Sequence, residues 1–291
     1  MSKPSRMQVK VLKAVHVHAA TVRVMQDRAK ATQQSTGQAP PASWYEDLHG
    51  RARLWQALEN AAADAGVPAA WITQCRQRGD LGMAWRGDLH WRETQFIDRD
   101  QLLSDLRQKV RHVQDMAAVK AVYGERGAQS EVGTAQMFDR KLRVLSQRIN
   151  AVAAVLEVSE AEAERLWGAH SWSAAAESVR DHSPLTLAGR WRAHARTETT
   201  ELALQATALN DAGIVPGAQA LPEPGDMAEL IEHHLSAVTP PELSAAGAEP
   251  GAQITEAIDA AGITSDTGTE FVSTDDPDRA PLSPIVPGVE P

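Results

Sequence analysis

The stretch FDRKLRVLSQRINAVAAVL, residues 138–156, carries the clearest pattern in this chain of 291 residues. Its large apolar residues recur at alternating steps of four and three. They are Phe138, Leu142, Leu145, Ile149, Val152 and Leu156. This spacing places all of them on one face of an α-helix, and it is also the spacing of a coiled-coil seam. The stretch therefore predicts a long amphipathic helix and favours an all-α fold.

A second helix with the same spacing precedes it. Its apolar residues are Leu103, Leu106, Val110, Val113 and Ala117, and they follow Asp98 and Asp100, either of which can cap a helix N-terminus. The segment GERGAQSEVGT, residues 124–134, predicts a turn between the two helices. Such a pair predicts a long antiparallel helical hairpin. The same seam could instead form a coiled coil between two copies of the chain, a dimer through residues 98–157.

Weaker helical patterns lie on both sides of this hairpin. Residues 5–36 repeat apolar side chains at helical spacing, and a second helix is expected from near Ser43, after a break rich in Gly and Pro. The pair Ser159 and Glu162 has the spacing of a capping box and predicts the start of a short helix. Residues 185–210 predict one more amphipathic helix. The segment WRGDLHW, residues 85–91, is typical of a loop or a small hairpin.

Charge and composition divide the chain. Residues 1–150 contain 23 Lys and Arg against 15 Asp and Glu, whereas residues 151–291 contain 6 against 23. From residue 211 onward Pro, Gly, Ala and acids dominate, a composition that cannot bury enough apolar area to offset the entropy of ordering. Within that tail, MAELIEHHLSAV (227–238) could form a short helix induced by a partner. The predicted regions are a basic helical region (1–95), a helical hairpin or bundle (98–210) and a disordered acidic tail (211–291).

Several classes of protein find no support in the sequence. Cys75 is the only cysteine, which excludes an intramolecular disulfide and fits a reducing cytosol. No window is long and apolar enough for a membrane span or a secretory signal, so we expect a cytoplasmic protein with no membrane partner. The motifs HExxH, GxxxxGK[ST] and GxSxG are absent. We therefore expect a non-enzymatic protein without cofactor or metal.

The segment AADAGVPAAWITQCRQRG, residues 62–79, points to a function. Ala62 is small enough for a second helix to cross it, and Gly66 permits a left-handed turn. Ile72 and Cys75 fall where inward-facing residues of the second helix belong. Together these residues resemble the helix-turn-helix class of DNA-binding proteins, over residues 53–79.

The resemblance implies that the second helix enters the major groove of DNA. Thr73 and Gln74 would then meet base edges, Arg76 and Arg78 would meet phosphates, and Gln77 would share the outward face. Trp71 departs from the pattern, because it also falls on the face that should be exposed; it could pack on Trp85 or Trp91. An ordinary helix pair is the alternative, with Gly66 as its C-cap and Pro68 opening the next helix.

Two hypotheses of function follow. The first is a DNA-binding or mobile-element-associated helical protein whose acidic tail competes for its basic surface. In composition the chain resembles the uncharacterised Ala-, Arg- and Trp-rich helical proteins carried by actinobacterial genomes, plasmids and phages. The second is a helical scaffold with protein partners, which would bind at the seam of the hairpin or at residues 227–238.

Overall fold

The computed structural model describes residues 3–125 and 133–237. These ranges contain ten α-helices and no β-strand, which confirms the predicted all-α fold. The helices are α1 (Arg6–Thr36), α2 (Ala42–Asp64), α3 (Ala69–Asp80), α4 (Arg99–Glu125), α5 (Thr134–Leu156), α6 (Glu160–Trp167), α7 (Ala169–Arg180), α8 (Pro184–Arg196), α9 (Thr200–Asp211) and α10 (Pro224–Ala237). None of these helices combines the length and the apolar character needed to cross a membrane.

Polar caps set several helix starts where the sequence predicts them. The Asp98 carboxylate accepts hydrogen bonds from the backbone amides of Asp100 and Gln101, at 3.0 and 3.2 Å. Ser159 and Glu162 form a reciprocal capping box at the start of α6. Such caps satisfy amides that the first turn of a helix leaves without a partner.

The predicted hairpin of α4 and α5 forms the centre of the molecule. The two helices pack against each other, and α5 also contacts α8, α9 and α10. The seam residues on α5 are all buried, as are Leu106, Val110, Val113 and Ala117 on α4. The seam is thus filled by contacts within one chain. Self-association through residues 98–157 stays a prediction, and it would have to use other faces of these helices.

Two predicted helices are each divided in the structure. The short helix after Ser159 stops at Gly168, whose extended backbone separates α6 from α7. The helix predicted over residues 185–210 is α8 followed by α9. Thr197 leaves the helical conformation, and the Glu198 carboxylate accepts hydrogen bonds from the amide and the hydroxyl of Thr200, at 2.7 and 2.5 Å. Apolar spacing continues across both breaks, so periodicity alone did not mark them.

The packed part of the chain extends beyond residue 210, where the tail was predicted to begin. Leu221, Met227 and Ile231 are buried in the same core, and α10 packs against α4 and α7. The segment predicted as a partner-induced helix therefore packs on its own chain, because its apolar residues lie at helical spacing within a region otherwise rich in Pro, Gly, Ala and acids. The rest of the predicted tail, residues 238–291, lies outside the described residues, as does most of the turn predicted at 124–134.

A buried polar network joins the N-terminal helices to the hairpin. Arg148 on α5 is only 2% exposed, and its Nε donates a hydrogen bond to Oε1 of Gln205 on α9 at 2.6 Å. Its Nη2 donates a hydrogen bond to the Asp64 carboxylate at the end of α2. Lys109 on α4 donates to the same carboxylate at 3.1 Å. The regions 1–95 and 98–210 thus share one core and one polar network.

Candidate nucleic-acid interface

The turn between α2 and α3 has the local geometry that residues 62–79 predict. Gly66 has a φ of +75°, and the amide of Val67 donates a hydrogen bond to the carbonyl of Ala62 at 2.9 Å. Ile72 and Cys75 are buried, as a helix-turn-helix and an ordinary helix pair both require. Burial raises the pKa of the Cys75 thiol to about 12, so the thiol is not a nucleophile at neutral pH.

The main partner of α3 is α1, and its contact with α2 is small. The two helices lie in close contact at Gly79. A Cβ atom at this position would lie 2.4 Å from the carbonyl oxygen of His16 and 2.7 Å from the Cβ of Ala19. Because only glycine allows this approach, Gly79 fixes α3 on α1.

The outward face of α3 is covered by the segment that follows it, residues 81–98, which we call the covering loop. Trp71 is only 3% exposed, because its ring packs on Trp91 and its Nε1 donates a hydrogen bond to the carbonyl of Arg92 at 2.9 Å. The Gln74 amide donates to the carbonyl of His90 at 2.8 Å and accepts from the amide of Arg92 at 3.1 Å. The segment WRGDLHW is thus a loop held on α3, and it contains no strand.

Three further predicted DNA contacts are also engaged within the chain. Gln77 accepts a hydrogen bond from the guanidinium of Arg92 at 2.9 Å, and Arg78 donates to the carbonyl of Ala84 at 3.3 Å. Arg76 forms an ion pair with Glu59 on α2 at 3.2 Å. Thr73 alone among the five predicted residues makes no side-chain hydrogen bond within the described part of the chain. The covering loop therefore keeps a duplex away from Trp71 and Gln74, whereas Gln77 and part of the Arg76 side chain stay exposed.

A second basic site lies in a cleft between α4 on one side and α6 and α7 on the other, which we call the arginine cleft. Two cavities of about 430 and 250 Å³ share Arg107, Arg165 and Leu166, so they form one continuous groove. Arg107 and Arg111 stand one turn apart on α4, and Arg165 comes from α6. None of these arginines forms an ion pair with an acid in the described ranges, although Nε of Arg165 donates a hydrogen bond to the carbonyl of Ala161 in its own helix at 3.1 Å. The groove therefore presents positive charge from both of its walls.

The floor of the arginine cleft combines apolar and neutral polar groups. Leu166, Ala174 and Ala175 line it. Gln114, which is 3% exposed, donates a hydrogen bond to the hydroxyl of Ser171 at 2.7 Å, and that hydroxyl donates to the carbonyl of Gly168 at 2.7 Å. The polar groups at the floor are thus positioned by hydrogen bonds before any ligand arrives.

Two acids that line the arginine cleft are held by partners outside it. Arg99 donates hydrogen bonds to the Glu162 carboxylate, and these bonds, together with those from Ser159, lower the pKa of Glu162 to about 2. Burial alone would raise the pKa of Asp115, but hydrogen bonds from His194 and Arg190 hold it below its ordinary value. Both carboxylates are therefore ionised and neutralised by their own partners. Asp100, at the far end of the groove, is the remaining acid along its wall.

A histidine three residues before Asp115 on α4 has a lowered pKa. Burial, and to a lesser degree the neighbouring ring of His194 at 5.2 Å, lowers the pKa of His112 below 6.5. The residues 3–125 and 133–237 hold no group of three or more His, Cys, Asp or Glu side chains placed to bind a metal ion. What the site offers a ligand is the set of guanidinium groups above the apolar floor.

The sequence did not single out the arginine cleft. Arg107 and Arg111 follow the polar face of an amphipathic helix, where arginine is ordinary, and Arg165 lies more than fifty residues away in the chain. The only available signal was the pair of like charges at i and i+4, which weakens an isolated helix and so needs another reason to be there. A comparison with protein-family models finds no match, and comparisons with curated proteins and with solved structures find none either. The functional argument therefore rests on the geometry of the cleft.

Proposed function

We propose that this protein binds nucleic acid through the arginine cleft, with Arg107, Arg111 and Arg165 on the phosphates. The observation that carries the proposal is that three guanidinium groups without acidic partners in the described ranges face one continuous groove. Arginine suits this role because its planar fork of N–H donors matches the oxygens of a phosphate, and because it stays charged at any physiological pH.

The charge distribution also supports a polyanionic ligand. The excess of Lys and Arg lies within residues 1–150, which include the α4 wall of the cleft. Contacts to phosphates hold a nucleic acid in place but carry no information about its sequence. Binding is therefore expected to be tolerant of sequence and steeply dependent on salt. The protein acts in this proposal as a binding protein and not as an enzyme.

Binding through α3 is a weaker candidate, since four of the five residues predicted for it are engaged within the chain. A duplex would have to replace the hydrogen bonds that Trp71 and Gln74 make with the covering loop. The helical scaffold with protein partners is the competing hypothesis. The scaffold hypothesis predicts that the protein does not bind nucleic acid at any salt concentration.

The test is a fluorescence-anisotropy titration of the full chain, at low salt, with labelled single-stranded and duplex oligonucleotides of mixed sequence. The variant R107A/R111A/R165A should bind about 100-fold more weakly than the wild type, at roughly 1 kcal/mol for each exposed phosphate contact. The matched control is R140A/R143A/R192A, which removes the same charge from exposed arginines outside the cleft. It should weaken binding by less than about fivefold, through long-range electrostatics only.

The double variant R76A/R78A separates the two candidate sites. We expect it to bind as the wild type does, because both side chains have partners within the chain. If R76A/R78A lost more affinity for nucleic acid than R107A/R111A/R165A, the binding site would lie on α3. The absence of binding to either probe by the wild type at low salt would refute the proposal and favour the scaffold.

A further inference from the structure

Resting on the proposed function, we infer that the arginine cleft accepts single-stranded nucleic acid in preference to duplex. The inference depends on two features of the cleft: its arginines stand on opposite walls, and an apolar floor lies between them. The walls and the floor can make more contacts with a single strand than with a duplex, and the length of the groove suits a short strand.

The walls favour a strand that lies within the groove. Arg107 and Arg111 belong to α4, whereas Arg165 reaches the same groove from α6. A strand between the helices can place successive phosphates against both walls. A duplex carries its phosphates on the outside of a wide cylinder, and it would meet a recessed cleft only at the rim. It would therefore gain fewer of these contacts at once.

The floor adds a preference that phosphate contacts cannot supply. Ala174 and Ala175 give it an apolar surface, with the buried side chain of Leu166 behind them. The bases of a duplex are stacked inside the helix and cannot reach this surface, whereas an unstacked base of a single strand can cover it. Trp167 and Trp172 are buried beside the cleft, so they do not serve as stacking platforms. The flat guanidinium groups take that role, as arginine does in many contacts with unpaired bases.

The groove is long enough for a short strand. Asp100 and Asp115 line its two ends, and the part of α4 between them is about 22 Å long at 1.5 Å per residue. That length matches at most about six nucleotides at ~3.4 Å each, and fewer when the strand is extended. The single helix that the sequence offered to a major groove, α3, lies under the covering loop. The protein thus presents a groove for a strand, with no exposed reading helix on α3.

The experiment compares labelled 12-nucleotide oligothymidylate and oligouridylate with the corresponding dT·dA duplex, each titrated with the full chain at one salt concentration. We expect at least one single strand to bind ten times more tightly than the duplex. Oligothymidylate of six nucleotides should bind nearly as well as twelve, and three nucleotides should bind much more weakly. The comparison of thymidylate with uridylate shows whether DNA or RNA is the source of the strand.

Two variants keep the inference testable if truncation to alanine disturbs the cleft. R107K/R111K/R165K keeps the positive charges and the apolar floor but removes the flat stacking surface, so it should retain binding while part of the preference for single strands is lost. R140K/R143K/R192K is the matched control and should keep the full preference. Circular dichroism of each variant, compared with the wild type, verifies that the helices are intact.

The outcomes separate the inference from the proposed function. Duplex binding as tight as single-strand binding would overturn the inference and leave the proposed function standing. Displacement of the strand by oligoglutamate of equal charge and concentration would show a general anion site and would also overturn it. If the wild type bound none of the three nucleic acids, both the inference and the proposed function would be wrong.

Discussion

Replacement of Gln74 by alanine should free the covering loop from α3. The Gln74 side chain makes two of the hydrogen bonds that hold the loop, to the carbonyl of His90 at 2.8 Å and from the amide of Arg92 at 3.1 Å. At about 1 kcal/mol for each bond, Q74A should lower the free energy of loop opening by roughly 2 kcal/mol. The population of the open loop should then rise about 30-fold.

Limited proteolysis with trypsin measures this population, because cleavage of a transiently open segment follows the fraction that is open. Arg92 can be cleaved only when the loop has left α3, since its carbonyl, amide and guanidinium all bond to that helix. Arg86 in the same loop is exposed, and within residues 3–125 and 133–237 its guanidinium pairs only with Asp88, two residues further along. Initial cleavage after Arg92 should therefore accelerate about 30-fold in Q74A, while cleavage after Arg86 should stay constant.

Thr73→Ala is the control for a change of side chain on the same helix. Because Thr73 makes no side-chain bond to the loop, T73A should leave both cleavage rates unchanged. If Q74A left the rate after Arg92 within threefold of the wild type, the side-chain bonds would not be what holds the loop. If wild-type cleavage were as fast after Arg92 as after Arg86, the α3 face would be open, and the argument against DNA binding there would fail.

Three further changes test the fold that supports the arginine cleft. Arg148→Ala breaks a buried hydrogen-bonded network and should lower the free energy of unfolding, measured in urea, by about 3 kcal/mol. The exposed control R143A should change it by less than about 0.5 kcal/mol. Equal effects of the two substitutions would contradict the role of the network. Gly79→Ala places a Cβ 2.4 Å from a backbone oxygen of α1 and should lower the free energy of unfolding by about 2–3 kcal/mol. The control is G50A, where a Cβ meets nothing within 4 Å; it should be neutral or stabilising by up to ~1 kcal/mol. Glu162→Gln should cost about 1–2 kcal/mol at pH 7. Because the folded pKa of Glu162 is about 2 against an ordinary 4.5, that difference should shrink as the pH falls from 4.5 towards 2, and a difference independent of pH would refute the assignment.

The helices of this fold were predictable where a local signal marks them. The apolar repeat of residues 138–156 gave α5, and caps such as Asp98 and Ser159 gave the starts of their helices. The turn at Gly66 was predictable because few residues other than glycine adopt its positive φ. The missed boundaries have a common cause. Apolar spacing continues through the breaks at Gly168 and Thr197, and the helix over 224–237 lies within a stretch rich in Pro, Gly, Ala and acids.

The covering loop shows what periodicity cannot give. The spacing of Ile72 and Cys75 places Trp71 and Gln74 on the opposite face of α3, and the covering loop packs on both of them. What covers that face depends on the path of residues 81–98, and this path is fixed by side-chain bonds to loop carbonyls. Single-sequence patterns carry no record of such bonds. The same residues that suggested contact with DNA therefore serve to hold the loop.

The arginine cleft was unpredictable for a related reason. Its walls come from α4, α6 and α7, and the sequence separation between Arg111 and Arg165 leaves no local pattern that joins them. Each arginine, taken alone, looks like an ordinary surface residue on the polar face of a helix. Only the packing of α6 and α7 against α4 places the three guanidinium groups on one groove, and that packing is a property of the whole core.

The most direct test of the central claim is the salt dependence of single-strand binding. For single strands the slope of log K against log salt concentration is about −0.7 for each phosphate that the protein neutralises. If Arg107, Arg111 and Arg165 each neutralise one phosphate, the slope for R107A/R111A/R165A should be less steep than that of the wild type by about 2. The control R140A/R143A/R192A should keep the wild-type slope. Equal slopes for the wild type and the cleft variant would show that these arginines do not contact the strand.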